Sequence, residues 1–358
     1  MSRLFESWPK EDREALKRLL NQAEDNLSAL EKISHYLTIC PRYIQKEDLR
    51  ALTEACDIPE EEAYALLMAA ACGLAADEHP GDRRLMEKYF RPGVHRLKPE
   101  DWLRDPYLQK VRMPKVSRGA WRLGYKTFAP YEAFASDDPH RMADGLEIPQ
   151  VGYFREAFQT PLAEENGREW MTVTPSEQNT MTPHIDRAFG KTVVFGLGLG
   201  YYAMRVSEKP EVSRVTVVEK ESAVISLVQE YLLPQFPHRE KIELVQADAF
   251  DYARNMGEKQ FNCAYVDLWH DVGDGVPMYL RFKQLEKYSP KTLFMYWIEP
   301  SMLMWLRGMA LEEIREGKPG PMLQTLGEAT SFRDLRERLS LENIARLAER
   351  IPPEVCVP

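Results

Sequence analysis

The residues best suited to chemistry begin with a glycine-rich turn. Residues 191–204 read KTVVFGLGLGYYAM, and Gly196, Gly198 and Gly200 alternate with leucines after a β-branched and aromatic run. Glycine has no Cβ, so such a turn lets the backbone approach a ligand closely. A helix that starts after the turn directs its unpaired N–H groups and positive dipole end at that ligand. The stretch therefore predicts a strand, a turn that holds a nucleotide-like molecule and a helix. Packing alone is the alternative explanation for the glycines.

Three carboxylates follow later apolar runs, and each is expected at the end of a strand. Glu219 comes about 20 residues after the turn, where an acid accepts hydrogen bonds from both ribose hydroxyls. Asp248, in QADAF, suits an adenine amino group, with the N–H of Ala249 facing a ring nitrogen. Asp267, in YVDLWHD, is expected where the reacting end of the ligand lies. The alternatives are a solvated acid for Glu219 and a helix N-cap for Asp248.

Asp267, His270 and Asp271 are the candidate catalytic residues, because they could orient an acceptor or remove its proton. The alternative is that His270 and Asp271 cap the following helix. Glu299 lies after the fifth predicted strand, but two acids do not make a metal site. No metal is therefore predicted.

The elements that must position these residues alternate between strand and helix from Lys191 onward. Such alternation requires a parallel sheet with right-handed crossovers. The predicted strands are residues 192–195, 215–218, 242–245, 263–266 and 292–298, and the predicted helices are residues 222–233, 250–255 and 278–288. A helical C-terminal segment that includes residues 332–351 is expected to cover an edge or face of the sheet.

The residues before this region predict two further units. Residues 1–115 carry apolar residues at helical spacing and predict a helical N-terminal domain. Residues 116–190 predict a β-hairpin and a linker or lid, with strands at 152–158 and 168–173 and a helix cap at Ser176. Residues 191–358 form the predicted ligand-binding domain with its helical C-terminal segment.

Composition excludes several functions. The formal net charge is −9, which argues against a surface dominated by phosphate binding. The helix-turn-helix-like segment at residues 46–74 is acidic where a DNA-reading helix would approach phosphates, so nucleic acid is an unlikely partner. No apolar run is long enough to cross a membrane. Five scattered cysteines favour reduced, mostly buried thiols in a cytoplasmic protein.

The region from Lys191 to Glu286 resembles the core of class I S-adenosylmethionine-dependent methyltransferases. VVFGLGLG matches the motif for the methionine moiety, VVEKE the ribose motif, QADAF the adenine motif and YVDLWHD the fourth-strand position. The resemblance implies an α/β fold with a Rossmann-like methyltransferase sheet covered by helices on both faces. It also implies S-adenosyl-L-methionine as the cofactor, bound by Gly196, Leu197, Gly198, Gly200, Glu219, Lys220, Asp248, Ala249 and Asp267.

One position departs from the commonest form of this family. Val194 stands where an acid often precedes the first motif glycine, and with the preceding hairpin this is similar to the spermidine-synthase-like branch, which transfers an aminopropyl group. The GGGDGG turn of that branch is absent.

The sequence therefore predicts a cytoplasmic methyltransferase with an unidentified acceptor, a small molecule in preference to nucleic acid, and is compatible with a homo-oligomer. Three alternatives stay open: aminopropyl transfer, an NAD-binding oxidoreductase based on Gly198-x-Gly200-x-x-Ala203, and a noncatalytic interaction protein.

Overall fold

The computed structural model describes the backbone of residues 5–356 and the side chains of residues 5–354. Its first part is helical, as predicted. Residues 10–39 form one continuous helix whose buried face includes Leu16, Ile33 and Tyr36. The helices and strand before residue 111 are α1 (Lys10–Ile39), α2 (Lys46–Cys56), α3 (Glu60–Ala71), α4 (Pro80–Leu85), α5 (Arg91–Gly93), β1 (Val94–Leu97), α6 (Pro99–Trp102) and α7 (Pro106–Lys110). A π-helical turn, Met86–Phe90, joins α4 to α5.

Residues 116–172 contain more strand than the predicted hairpin. The strands are β2 (Val116–Arg118), β3 (Trp121–Phe128), β4 (Phe134–Arg141), β5 (Glu147–Phe154), β6 (Phe158–Glu165) and β7 (Arg168–Thr172). They form an antiparallel sheet of order β2-β3-β6-β7 and a second sheet of order β1-β5-β4, in which β1 runs parallel to β5.

The predicted hairpin exists, but its first strand was misplaced. The strand that pairs with β7 is β6, not residues 152–158. Asn166 and Gly167 form the turn with φ values of 52° and 78°, as a type I′ turn requires. The next helix, α8 (Pro175–Arg187), is capped by Thr174 and not by Ser176. Thr174 and Glu177 form a capping box there, which satisfies N–H groups that the helix itself leaves unpaired.

The predicted α/β region is confirmed as a five-stranded parallel sheet of order β10-β9-β8-β11-β12. This is the order of a Rossmann-like sheet, with its topological switch point between β8 and β11. Its elements are β8 (Gly190–Phe195), α9 (Tyr201–Ser207), β9 (Val212–Glu219), α10 (Ser222–Leu227), β10 (Ile242–Gln246), α11 (Ala249–Arg254), β11 (Cys263–Val266), α12 (Val272–Lys283) and β12 (Leu293–Tyr296). Short helical turns follow α10 at Val228–Leu232, Leu233–Gln235 and Arg239–Lys241, and follow α12 at Glu286–Tyr288.

Both faces of this sheet are buried, which explains its nearly continuous apolar strands. Along β11, Ala264 and Val266 belong to one hydrophobic cluster, whereas Cys263 and Tyr265 belong to another on the opposite face. The first cluster includes residues of the C-terminal helices α13 (Glu299–Glu316), α14 (Pro321–Leu326), α15 (Phe332–Arg338) and α16 (Leu341–Leu347). The described chain ends in turns at Ala348–Arg350 and Pro353–Cys356.

Contacts cross the predicted boundary near residue 115. Strand β1 pairs with β5, and Leu16 of α1 packs into the same cluster as the C-terminal helices. The division into three domains stays a prediction.

Two other expectations have outcomes in the structure. Of the four cysteines whose side chains are described, Cys263 is buried, Cys40 and Cys72 are half-buried and Cys56 is exposed, so the prediction of mostly buried thiols was wrong. Among the described helices, none combines the length and apolar character needed to cross a bilayer.

Candidate functional site

The glycine turn connects β8 to α9, and all three of its glycines have positive φ. The values are 97° for Gly196, 55° for Gly198 and 75° for Gly200. A Cβ on Gly196 would clash with the carbonyl oxygen of Asp267, and one on Gly200 would lie 2.8 Å from the Phe236 ring. Close packing therefore explains these two glycines. Packing does not explain Gly198, because within the described chain the one atom close to a Cβ added there is the Met171 sulfur, on a flexible side chain, at 3.3 Å.

The turn leaves backbone donors unused. The N–H of Gly200 donates to the Leu197 carbonyl at 2.8 Å, and the Tyr107 hydroxyl donates to the Leu199 carbonyl at 2.7 Å. Within the described chain, the N–H groups of Gly198 and Leu199 donate no hydrogen bond. Successive unpaired N–H groups in such a turn are suited to an anionic group such as a carboxylate.

Glu219 lies at the end of β9, next to the turn. One carboxylate oxygen accepts from the N–H of Leu197 at 3.1 Å, and the other accepts from the N–H of Glu221 at 2.9 Å. Each oxygen retains a second lone pair, and the residue is half-buried. It can therefore accept from a ligand hydroxyl while it holds the turn. Lys220 is exposed, and its carbonyl accepts from the side-chain amide of Gln246 at 3.4 Å.

Asp248 and Ala249 follow β10, the edge strand of the sheet. The side chain of Asp248 caps α11 by accepting from the N–H of Asp251 at 3.0 Å. The capping role raised as an alternative is therefore present. It leaves one carboxylate oxygen and the N–H of Ala249 without a partner in the described chain. Capping and adenine recognition are thus compatible.

Asp267 ends β11, at the switch point beside Gly196. Its N–H donates to the Phe195 carbonyl at 2.9 Å, which joins the ends of β8 and β11. Burial raises the pKa of its carboxyl to about 8, and repulsion by Glu177 of α8 adds to the shift. A carboxyl that titrates near neutral pH is suited to accept or release a proton.

His270 and Asp271 have different surroundings. His270 is partly buried against β7, with its Nε2 atom 3.3 Å from the Glu169 carbonyl and its ring centroid 5.8 Å from that of Trp170. Asp271 is exposed and caps α12, accepting from the N–H of Gly273 at 2.7 Å. The cap explains Asp271 without catalysis. His270 does not cap α12 with its side chain, and it faces the hairpin that borders the site.

Several residues near this edge were not singled out from the sequence. Met171 of β7 lies over Gly198, and Glu177 of α8 opposes Asp267. The capping-box spacing from Thr174 to Glu177 was a signal for the helix start. Nothing in the sequence indicated that the same carboxylate helps to raise the pKa of Asp267.

A buried polar group borders the same end of β11. The Tyr265 hydroxyl has no hydrogen-bond partner in the described chain, and the ring stacks on Tyr202 with centroids 3.7 Å apart. Burial raises the pKa of Tyr265, and the charges of Asp267 and Asp138 add to this effect. Burial likewise raises the pKa of Asp138 to about 6, and Asp138 accepts from the Ser301 hydroxyl at 2.5 Å.

Comparison with known proteins gives structural similarities only. No family model matches the sequence, and no curated protein matches it. Spermidine synthase from Thermotoga maritima is 14% identical over 43% of this chain and 59% of its own, with a TM-score of 0.32. A candidate O-methyltransferase from Klebsiella pneumoniae is 19% identical over 30% of this chain and 47% of its own, with a TM-score of 0.24.

A third similarity is to precorrin 8w decarboxylase from Methanobacterium thermoautotrophicum, which is 17% identical over 36% of this chain and 62% of its own, with a TM-score of 0.25. The matches thus span about half to three fifths of the length of these proteins. Similarities this weak carry no argument about activity. The fold rests on the strand order of the sheet itself.

Proposed function

We propose that this chain is an S-adenosylmethionine-dependent methyltransferase. The observation that carries the proposal is that the glycine turn and the Glu219 carboxylate lie side by side, connected by a hydrogen bond. Gly198 and Leu199 present two N–H groups that have no partner among the described residues, and the Glu219 carboxylate lies beside them at the end of the next strand. The first feature suits the carboxylate of an amino acid, and the second suits ribose hydroxyls. An amino-acid nucleoside carries both.

The residues present fit this cofactor at each of its parts. Asp248 and Ala249 would hold the adenine, Glu219 the ribose and the turn the methionine moiety. Lys220 is assigned to the ribose motif from its position in the sequence alone, because its side chain is exposed. The cofactor supplies an activated methyl group when bound, so the protein mainly has to align the acceptor.

Asp267 and His270 would act on the acceptor in this proposal. Asp267 has the raised pKa that a proton-accepting group needs near neutral pH. His270, at the border with β7, would orient the acceptor. Asp271 is the third catalytic candidate; because it also caps α12, we propose that it supports the other two.

Isothermal titration calorimetry with S-adenosylmethionine and S-adenosylhomocysteine tests the proposal. We expect saturable binding of both. No binding of either at millimolar concentration would contradict it, and saturable binding of NADH instead would favour an oxidoreductase. The residues after β12 argue against an oxidoreductase. In the described chain they form helices and turns but no further strand, so the second mononucleotide-binding half of a dinucleotide fold is missing there.

Aminopropyl transfer is a second candidate, favoured by the acids at the reacting end. Glu177 opposes Asp267, and Asp138 lies near Tyr265 of the same strand. Carboxylates so placed suit an acceptor that carries amines. Product analysis after incubation with putrescine and either S-adenosylmethionine or its decarboxylated form distinguishes the two reactions. Turnover of the decarboxylated form alone would establish aminopropyl transfer.

A further inference from the structure

A groove of about 510 Å³ lies outside the candidate site, bordered by α1, the loop from β4 to β5, α13 and α15. Four arginines line it: Arg18, Arg141, Arg307 and Arg336. Asp144 is the one acidic residue among the lining residues. The groove is therefore strongly cationic in a protein whose net charge is −9.

Arg307 forms the buried part of the groove. Its side chain is 6% exposed, and its Nη1 atom donates to Glu147 at 2.9 Å. Its buried Nε atom has no hydrogen-bond partner in the described chain. A buried donor without a partner is costly, and an acceptor atom of a bound molecule would satisfy it.

The other three arginines lie at the exposed rim. Within the described residues, Arg18, Arg141 and Arg336 make no ion pair with a carboxylate, although Glu147 lies close to Arg141. Burial lowers the pKa of Arg307, Glu147 opposes that shift, and the charges of Arg141 and Arg336 lower the pKa further. Like charges therefore converge on Arg307, and one carboxylate does not balance them.

We infer that this groove binds a small organic molecule that carries phosphate or carboxylate groups. Guanidinium groups match both oxyanions with paired, charge-assisted hydrogen bonds. Leu19, Phe332 and Leu339 supply an apolar wall for the body of such a molecule. The volume suits a small ligand. The site stands independently of the proposed methyl transfer.

Calorimetry at low salt with pyrophosphate and with citrate as probes tests this inference on the full chain. We expect saturable binding of at least one probe, and the tighter of the two identifies the oxyanion. Arg141→Gln and Arg336→Gln should each weaken that binding about tenfold or more, since each removes a charged donor. Both side chains are exposed, so both variants should unfold at the midpoint of the unmodified protein.

Arg333→Gln is the matched control. Arg333 lies on α15 with Arg336, is exposed and does not line the groove. Its substitution should leave affinity unchanged. The inference is overturned if neither probe binds saturably, or if Arg333→Gln weakens binding as much as Arg336→Gln, since binding would then follow overall charge.

Discussion

The carboxylate of Glu219 accepts a hydrogen bond from the backbone N–H of Leu197 at 3.1 Å. This bond joins the end of β9 to the glycine turn after β8, across 22 residues of sequence. The same carboxylate binds the N–H of Glu221 with its other oxygen. Glu219 therefore fixes the shape of the turn at the place where it would also meet a ligand hydroxyl.

Glu219→Ala should weaken binding of S-adenosylhomocysteine by about 1–3 kcal/mol, since a charged hydrogen bond is lost and the turn is loosened. Calorimetry measures the effect. Glu221→Ala is the control, because that residue contributes only its backbone N–H. Equal affinities of Glu219→Ala and the unmodified protein would remove Glu219 from the site.

Gly196→Ala and Gly198→Ala should have different effects. The first places a Cβ against the carbonyl oxygen of Asp267 at φ 97°, so it should lower the free energy of unfolding by roughly 1–3 kcal/mol. The second meets only the Met171 sulfur, so it should cost about 1 kcal/mol of stability and mainly reduce cofactor affinity. Urea unfolding and calorimetry separate the two quantities. If Gly198→Ala binds normally, close approach of a ligand does not explain Gly198.

Asp271→Ala should destabilise the protein by about 1 kcal/mol, because α12 loses its N-cap. Asp271→Asn retains a capping oxygen and should restore most of that loss. Urea unfolding measures both variants. Affinity for S-adenosylhomocysteine should not change in either, and a large drop in Asp271→Asn would show that Asp271 also contacts this ligand.

Much of the parallel sheet could be predicted because each strand is a short apolar run bounded by polar residues. The strand Cys263–Val266 has the predicted limits. The ends of the strands fix where Glu219, Asp248 and Asp267 lie, since parallel strands present their carboxyl ends at one edge. The alternation of strands and helices in the sequence therefore predicted that these three acids lie at that edge. Their roles in binding stay predictions.

The antiparallel region was harder to predict because its signals conflict. Pro161 lies inside β6, and a proline usually argues against a central strand. In the structure, the pairing of β6 with β7 ends at Leu162 and Thr172, one residue short of Pro161. The missing N–H of Pro161 is therefore not needed for a hydrogen bond to β7. The approach of Glu177 to Asp267 joins residues 90 positions apart, and no local pattern encodes it.

Asp267 should make stability depend on pH. Its pKa is about 8 in the folded protein and ordinarily 3.8. Below pH 3.8 both states are protonated, so its contribution to stability is complete. Above that value the unfolded chain ionises first, and stability is lost progressively up to about pH 8, at no more than about 1.4 kcal/mol per pH unit.

Urea unfolding at pH 5 and pH 8 checks this expectation by difference. The free energy of unfolding of the unmodified protein, minus that of Asp267→Asn, should fall between the two values. Titrating groups that do not interact with Asp267 cancel in the subtraction. Asp248→Asn, at an exposed position where asparagine can also cap, should show no such change. A constant difference for Asp267→Asn would contradict the raised pKa.

Asp267 should also distinguish the cofactor, S-adenosylmethionine, from its demethylated product, S-adenosylhomocysteine. S-adenosylmethionine carries a positive sulfonium that S-adenosylhomocysteine lacks, and a nearby cation favours the ionised carboxylate. Because the pKa of Asp267 is about 8 without ligand, the affinity for S-adenosylmethionine relative to S-adenosylhomocysteine should rise between pH 6.5 and about pH 9. In Asp267→Asn this ratio should be flat. Calorimetry of both ligands across that range measures it, and an identical pH dependence in the two proteins would place the sulfonium away from Asp267.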